Sequence, residues 1–142
     1  MVNRDKLIYI ISTGQHLLKN YLANQFKNDG IQITPSHAPI LFSLMVKNPQ
    51  TMNELGKYLH IENSTVTGLI DRLEKGAFVQ RIPDESDRRK WNISITNKGI
   101  KEIKKTQKTV KRVNEMIKED HTEADMQAFQ RVFLSFFDKF AE

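Results

Sequence analysis

Two short capped helices followed at once by a change of hydrophobic period constrain this chain more than any other feature of its sequence. Thr51-Met52-Asn53-Glu54 has the form of a capping box, in which Thr51 covers the N3 amide and Glu54 reaches back. Leu55, Tyr58 and Leu59 follow at helical spacing, and His60-Ile61-Glu62 is the length of a tight turn between helices. Asn63 then stands as the cap of a second helix, 63–75, whose apolar positions Val66, Leu69, Ile70 and Leu73 form an i, i+3, i+4, i+7 set. Such a pair predicts a helix-turn-helix. The period then changes. Phe78-Val79-Gln80-Arg81-Ile82 and Trp91-Asn92-Ile93-Ser94-Ile95 read as strands, around a polar, charged tip at 83–90. A hairpin placed directly after a helix-turn-helix is the wing of a winged helix.

The flanks read as helix. Leu7, Ile8, Ile11, Leu18, Tyr21, Leu22 and Phe26 recur at three- and four-residue steps until Asn28-Asp29-Gly30 supplies a stop. A second helix is expected from Thr34-Pro35, with Pro39 about one turn in and costing a backbone hydrogen bond. Ile40, Leu41, Leu44 and Met45 give its buried face, and Lys47-Asn48-Pro49 ends it. Thr96 caps a long helix with Ile100, Ile103, Gln107, Val110, Asn114 and Ile117 along one side and many lysines elsewhere. A last helix after Thr122 carries Met126, Phe129, Val132, Phe133, Phe136, Phe137 and Phe140. The expected class is therefore mainly α with a small β-hairpin wing, a winged helix-turn-helix plus a helical dimerisation region. At 142 residues it should be one domain, 1–142. About 5–30 and 97–142 are assigned to dimerisation helices and about 34–96 to the winged helix-turn-helix.

Composition excludes more than it selects. The absence of cysteine removes disulfides, thiolate metal sites and cysteine redox sensing. No run of eighteen apolar residues occurs, and Met1 to Lys6 leads straight into a periodic helix, which argues against a membrane span and a secretory signal. A cytoplasmic location is the resulting expectation. The net charge of +5 favours a polyanion partner. His16, His37, His60 and His121 are scattered without paired ligand spacing, so no metal is expected, and no cofactor. No G-x-S-x-G, Walker A or G-x-G-x-x-G motif is present, so an enzyme is not expected either.

Two groups of residues carry the functional expectation. With its apolar side buried, helix 63–75 offers Ser64, Thr65, Thr67, Gly68, Asp71, Arg72 and Lys75, and short hydroxyls near a helix N-terminus suit base edges and phosphates. Asn63, Ser64, Thr65, Thr67, Gly68 and Arg72 are the candidate DNA contacts from this helix, and an exposed Gly68 would let the backbone approach a duplex. On the tip, Arg88, Arg89 and Lys90 are candidate contacts to a minor groove, with Asp84 and Asp87 placed to bracket an arginine. A winged-helix module that binds protein instead of DNA is the alternative.

At these residues the chain resembles the multiple antibiotic resistance regulator (MarR) family. The resemblance runs through Ser64-Thr65-Val66-Thr67, Asp71-Arg72-Leu73-Glu74-Lys75, Val79-Gln80-Arg81, Asp84 to Arg89, and Ile95-Thr96-Asn97-Lys98-Gly99. One departure is that the family's helix-ending glycine usually stands one position later, where this chain has Ala77 after Gly76. The resemblance implies a DNA-binding regulator, a repressor responsive to a ligand, with its recognition helix in the major groove and its wing in the minor groove. It implies a homodimer whose terminal helices interlock on a pseudo-palindromic operator. Ile8, Ile11, Phe129, Phe133, Phe136, Phe137 and Phe140 are the residues that would bury that interface. It also implies a small aromatic or phenolic anion as effector, for which His16, Lys19, Tyr21, His37 and Phe42 are pocket candidates.

Overall fold

The computed structural model describes residues 6–141, in six helices and three strands. The outermost ends of the two expected dimerisation segments, residue 5 and Glu142, lie outside the described residues. Chain order is α1 (Leu7–Asn28), α2 (Ala38–Val46), β1 (Gln50–Thr51), α3 (Met52–Leu59), α4 (Asn63–Lys75), β2 (Val79–Pro83), β3 (Trp91–Ile95), α5 (Asn97–Lys118) and α6 (Glu123–Phe140). The described chain divides into two units between Thr109 and Val110.

In the first unit the core is built on Ile40, Leu41, Leu44, Leu55, Val66, Ile70, Leu73, Val79, Ile93 and Ile103, all buried. These are the inward faces of α2, α3, α4, the hairpin and the start of α5, so one apolar centre fixes α4 and the hairpin together. The hairpin pairs Val79 with Ile95 and Pro83 with Trp91 in an antiparallel register. β3 lies in the middle, because Gln50 of β1 pairs with Ile93 on its other side. β1 carries no strand signature. It is held because buried Gln50 donates Nε2 hydrogens to the Ser43 and Lys47 carbonyls, at 2.9 and 2.7 Å.

Several local expectations are corrected. α2 begins at Ala38 after a turn closed by His37 N–H on the Thr34 carbonyl, so Pro39 falls in the first helical turn and costs no hydrogen bond. Met45 and Tyr58, expected on buried faces, are exposed. Thr51 caps the Glu54 amide at 3.1 Å as expected, while the Glu54 carboxylate also takes Lys47 and the Thr51 hydroxyl, and its pKa is lowered by the Lys47 bond first and by bonds from the Thr51 backbone and hydroxyl behind it. The buried face of α5 is Gly99, Glu102, Ile103, Thr106, Thr109 and Val113, about a quarter of a turn away from the expected stripe, and Gln107, Asn114 and Ile117 are exposed. The polar members of that face are satisfied where they lie. Thr106 donates to the Glu102 carbonyl at 2.8 Å, Thr109 donates to Asp29, and Glu102 accepts the Gln32 amide.

The second unit holds the end of α5 and all of α6. Thr122 and Asp125 form a reciprocal capping box at 3.1 and 3.0 Å, so the start of α6 is as expected. Phe129, Phe133, Phe136 and Phe140 stack in succession with ring centroids 4.7, 5.0 and 5.3 Å apart. No residue of α6 is buried. α1 likewise leaves Leu7, Ile8, Tyr9 and Leu17 mostly exposed and buries only Phe26. Among the described residues no helix is long and apolar enough to cross a membrane.

Candidate nucleic-acid interface

α4 sits with Val66, Ile70 and Leu73 in the core and Leu69 half-buried, which turns Ser64, Thr65, Thr67, Gly68, Asp71, Arg72 and Lys75 outward. A methyl group built on Gly68 would meet nothing within 4 Å, so the backbone there is open to a large partner. Thr67 donates its hydroxyl hydrogen to the Asn63 carbonyl at 2.9 Å, leaving its oxygen to accept. Asn63 is not the cap expected of it. Glu62 occupies the N-cap with no side-chain bond, and Asn63 is the first helical residue, its Nδ2 donating to Asn53 Oδ1 at 2.7 Å. Capping preference is a local property, whereas Asn53 lies across the turn and supplies a better-placed acceptor. Arg72 is exposed without an ion pair among the described residues, and its charge, after burial, is the second cause that holds the His37 imidazole below its ordinary pKa.

The wing is organised by its two aspartates, in different ways. Asp84 Oδ1 accepts the Ser86 amide and hydroxyl at 2.8 and 2.7 Å and the Asp87 amide at 3.3 Å. Those bonds hold its carboxyl below the usual carboxylate range, the Ser86 hydroxyl first. Asp84 therefore shapes the loop and touches no arginine, contrary to the expected bracket. Asp87 alone does that part, accepting Arg89 N–H at 3.0 Å and Arg89 Nε at 3.3 Å. Arg88, Arg89 and Lys90 are exposed, the Arg89 side chain at 91%.

Residues outside the expected site join α4 to the hairpin. Arg81 of β2 places one guanidinium nitrogen on Asp71 and another on Glu74 at 2.8 Å, both carboxylates belonging to α4. The Asp71 bond is the main reason the guanidinium is held even more firmly protonated than usual. This two-point fork fixes β2 against α4. The sequence carried the signal as opposite charges ten and seven positions apart on elements already assigned as neighbours. At the end of α4, the Ala77 and Phe78 amides close on the Glu74 and Leu73 carbonyls at 2.9 Å each, with Ala77 at φ 63°. That is a Schellman motif with alanine in the left-handed position.

The five pocket candidates do not line one cavity. His37 is buried and Phe42 half-buried, while His16, Lys19 and Tyr21 are exposed on α1. Lys19 alone of the five lines an open groove of about 280 Å³, with Gln15, Leu18, Leu22, Pro35 and Ser36. Among the described residues no group of three His, Cys, Asp or Glu side chains is placed to hold a metal ion.

Comparison with known proteins agrees with this geometry. The MarR family model matches residues 33–91, from just before α2 to the start of β3. The uncharacterized HTH-type transcriptional regulator YwoH of Bacillus subtilis is 30% identical over 135 residues, covering 95% of this chain and 96% of its own. Among solved structures, a MarR protein from Peptoclostridium difficile superposes with a TM-score of 0.86 at 16% identity, over 98% of this chain and 92% of its own. A structure of reduced AbfR bound to DNA gives 0.74 at 23% identity, over 93% and 89%.

Proposed function

The chain belongs to the MarR family of helix-turn-helix transcriptional regulators, and from that premise we propose that it is a ligand-responsive repressor binding a pseudo-palindromic duplex operator as a homodimer. The observation that carries the DNA-binding part is the pairing of an open α4 face, Ser64, Thr65, Thr67 and Gly68, with a cationic wing tip on one clamped support. α4 enters the major groove, where hydroxyl oxygens and Arg72 meet base edges, and Arg88, Arg89 and Lys90 follow the adjacent minor groove. AbfR, a protein of this fold, is bound to DNA in its structure, which supports the same use here.

The homodimer is supported by the two apolar surfaces this chain leaves uncovered, the ring stack of α6 and the outer side of α1. Ile8 is 85% exposed and Phe140 71%, and large exposed apolar surfaces mark interaction sites. The effector in this reading is a small aromatic or phenolic anion that weakens duplex binding, supported by the family and by the Lys19 groove.

The test is a duplex titration across salt concentrations, on selected operator and on scrambled DNA. Affinity should fall steeply with salt as phosphate neutralisation releases counterions, and a phenolic anion should lower operator affinity further. A log–log slope near zero would sink the reading.

A further inference from the structure

An open cleft of about 250 Å³ lies between the first turns of α3 and α4 and the base of the wing, lined by Met52, Asn53, Asn63, Arg89, Lys90 and Trp91. Pockets for drug-sized molecules run to about 300–1,000 Å³ and enclose most of the ligand. This one is smaller and open, the form of a groove through which a chain passes. Trp91 is 48% exposed although it begins β3 opposite Pro83, and no described residue accepts from its indole N–H. A tryptophan so placed has both its apolar body and its donor available. The Asn53–Asn63 bond uses Asn53 Oδ1 and leaves the Asn53 amide nitrogen as a donor. The Thr51 hydroxyl caps only the Glu54 amide of α3, so the start of that helix adds positive potential on the same side.

A helix in the major groove and a wing in the adjoining minor groove are separated by one sugar-phosphate strand, which must cross between them. We infer that this cleft grips that strand: Arg89, Lys90 and the Asn53 amide hold its phosphates, and the Trp91 indole lies against a deoxyribose. The inference rests on the operator-binding reading and adds to it a backbone contact, made by Asn53 and Trp91 beside the wing-tip cations Arg89 and Lys90 and separate from the base contacts of α4. Such contacts fix position and carry no sequence preference.

Trp91 is the only tryptophan, so its emission in the intact protein reports the cleft directly. A short random-sequence duplex at low salt should shield Trp91 from acrylamide quenching, and inorganic phosphate alone should not. Trp91→Ala should weaken operator and random duplex by the same factor, about five- to tenfold, from loss of one aromatic contact. Its salt slope should stay unchanged, whereas Lys90→Ala should lower the slope by about one. Trp91→Phe, which keeps a ring, should retain most of the affinity and guards against a folding artefact. If duplex binds with a steep salt slope while Trp91 stays equally accessible and Trp91→Ala binds as the unmodified protein does, the strand passes elsewhere and the clamp is wrong, with operator binding intact. Shielding by phosphate alone would make this a small-anion site and overturn the strand assignment. No salt-dependent duplex binding at all would overturn both.

Discussion

Ala77 is held at φ 63°, a region where an L side chain costs about 1–2 kcal/mol and glycine does not. The glycine stands one place earlier for a packing reason, since a methyl group on Gly76 would come within 2.5 Å of the Phe78 ring. Glycine at both positions suits the turn, so Ala77→Gly should raise stability by about 1 kcal/mol in urea unfolding, with duplex binding unchanged. The offset was visible in the sequence, but its reason was not, because it depends on where the Phe78 ring turns. His37 gives a second residue-scale outcome. Its Nδ1 is bonded to the Thr34 hydroxyl at 2.8 Å, its Nε2 is buried without a partner, and burial first and Arg72 second lower its pKa. Above the ordinary value of about 6.5 both folded and unfolded forms are neutral and the full contribution is present. As pH falls below that, the unfolded chain takes up a proton that the folded chain resists, and stability declines toward the lower folded value. Unfolding followed between about pH 6.5 and 4.5, above the carboxylate range, should show this decline, and His37→Gln should flatten it.

Among the elements, the recognition helix and the wing were legible because each announces itself by period and by its breaks. The core positions Val66, Ile70 and Leu73 fell where a 3.6-residue repeat puts them. Elements whose fit is set by partners were not legible. β1 is two residues long and exists because Gln50 is anchored from α2, and the inner face of α5 contains Glu102, Thr106 and Thr109, which no hydropathy pattern marks as buried. The two reading elements should separate in the duplex assay. Arg89→Ala should lose affinity on every sequence and lower the salt slope by about one. Thr65→Ala should leave the slope nearly unchanged and relax base preference, by about 1–3 kcal/mol for a good base contact. Loss of sequence preference alone from the wing variant, with uniform loss from the helix variant, would reverse the two roles.

At the scale of the whole molecule, the sequence foretold the helix order and the aromatic C-terminal helix, and the unsupported apolar faces of α1 and α6 are what the Ile8 and Leu18 stripe and the C-terminal phenylalanines led one to expect. Replacing Phe133 and Phe136 with charged residues should give monomers or aggregates with weak operator binding, read by sedimentation and titration. A unmodified protein that sediments as a monomer at micromolar concentration contradicts the dimer. The Arg81 fork ties the wing to α4 at two carboxylates, while β1 ties α3 to the hairpin from the other side. Helix and wing thus form one jaw of fixed profile, and in the proposed dimer two such jaws would make a calliper. The effector proposed above would then gain little by reshaping either jaw. What it would set is the gap between them, against a duplex that repeats its grooves about every 34 Å.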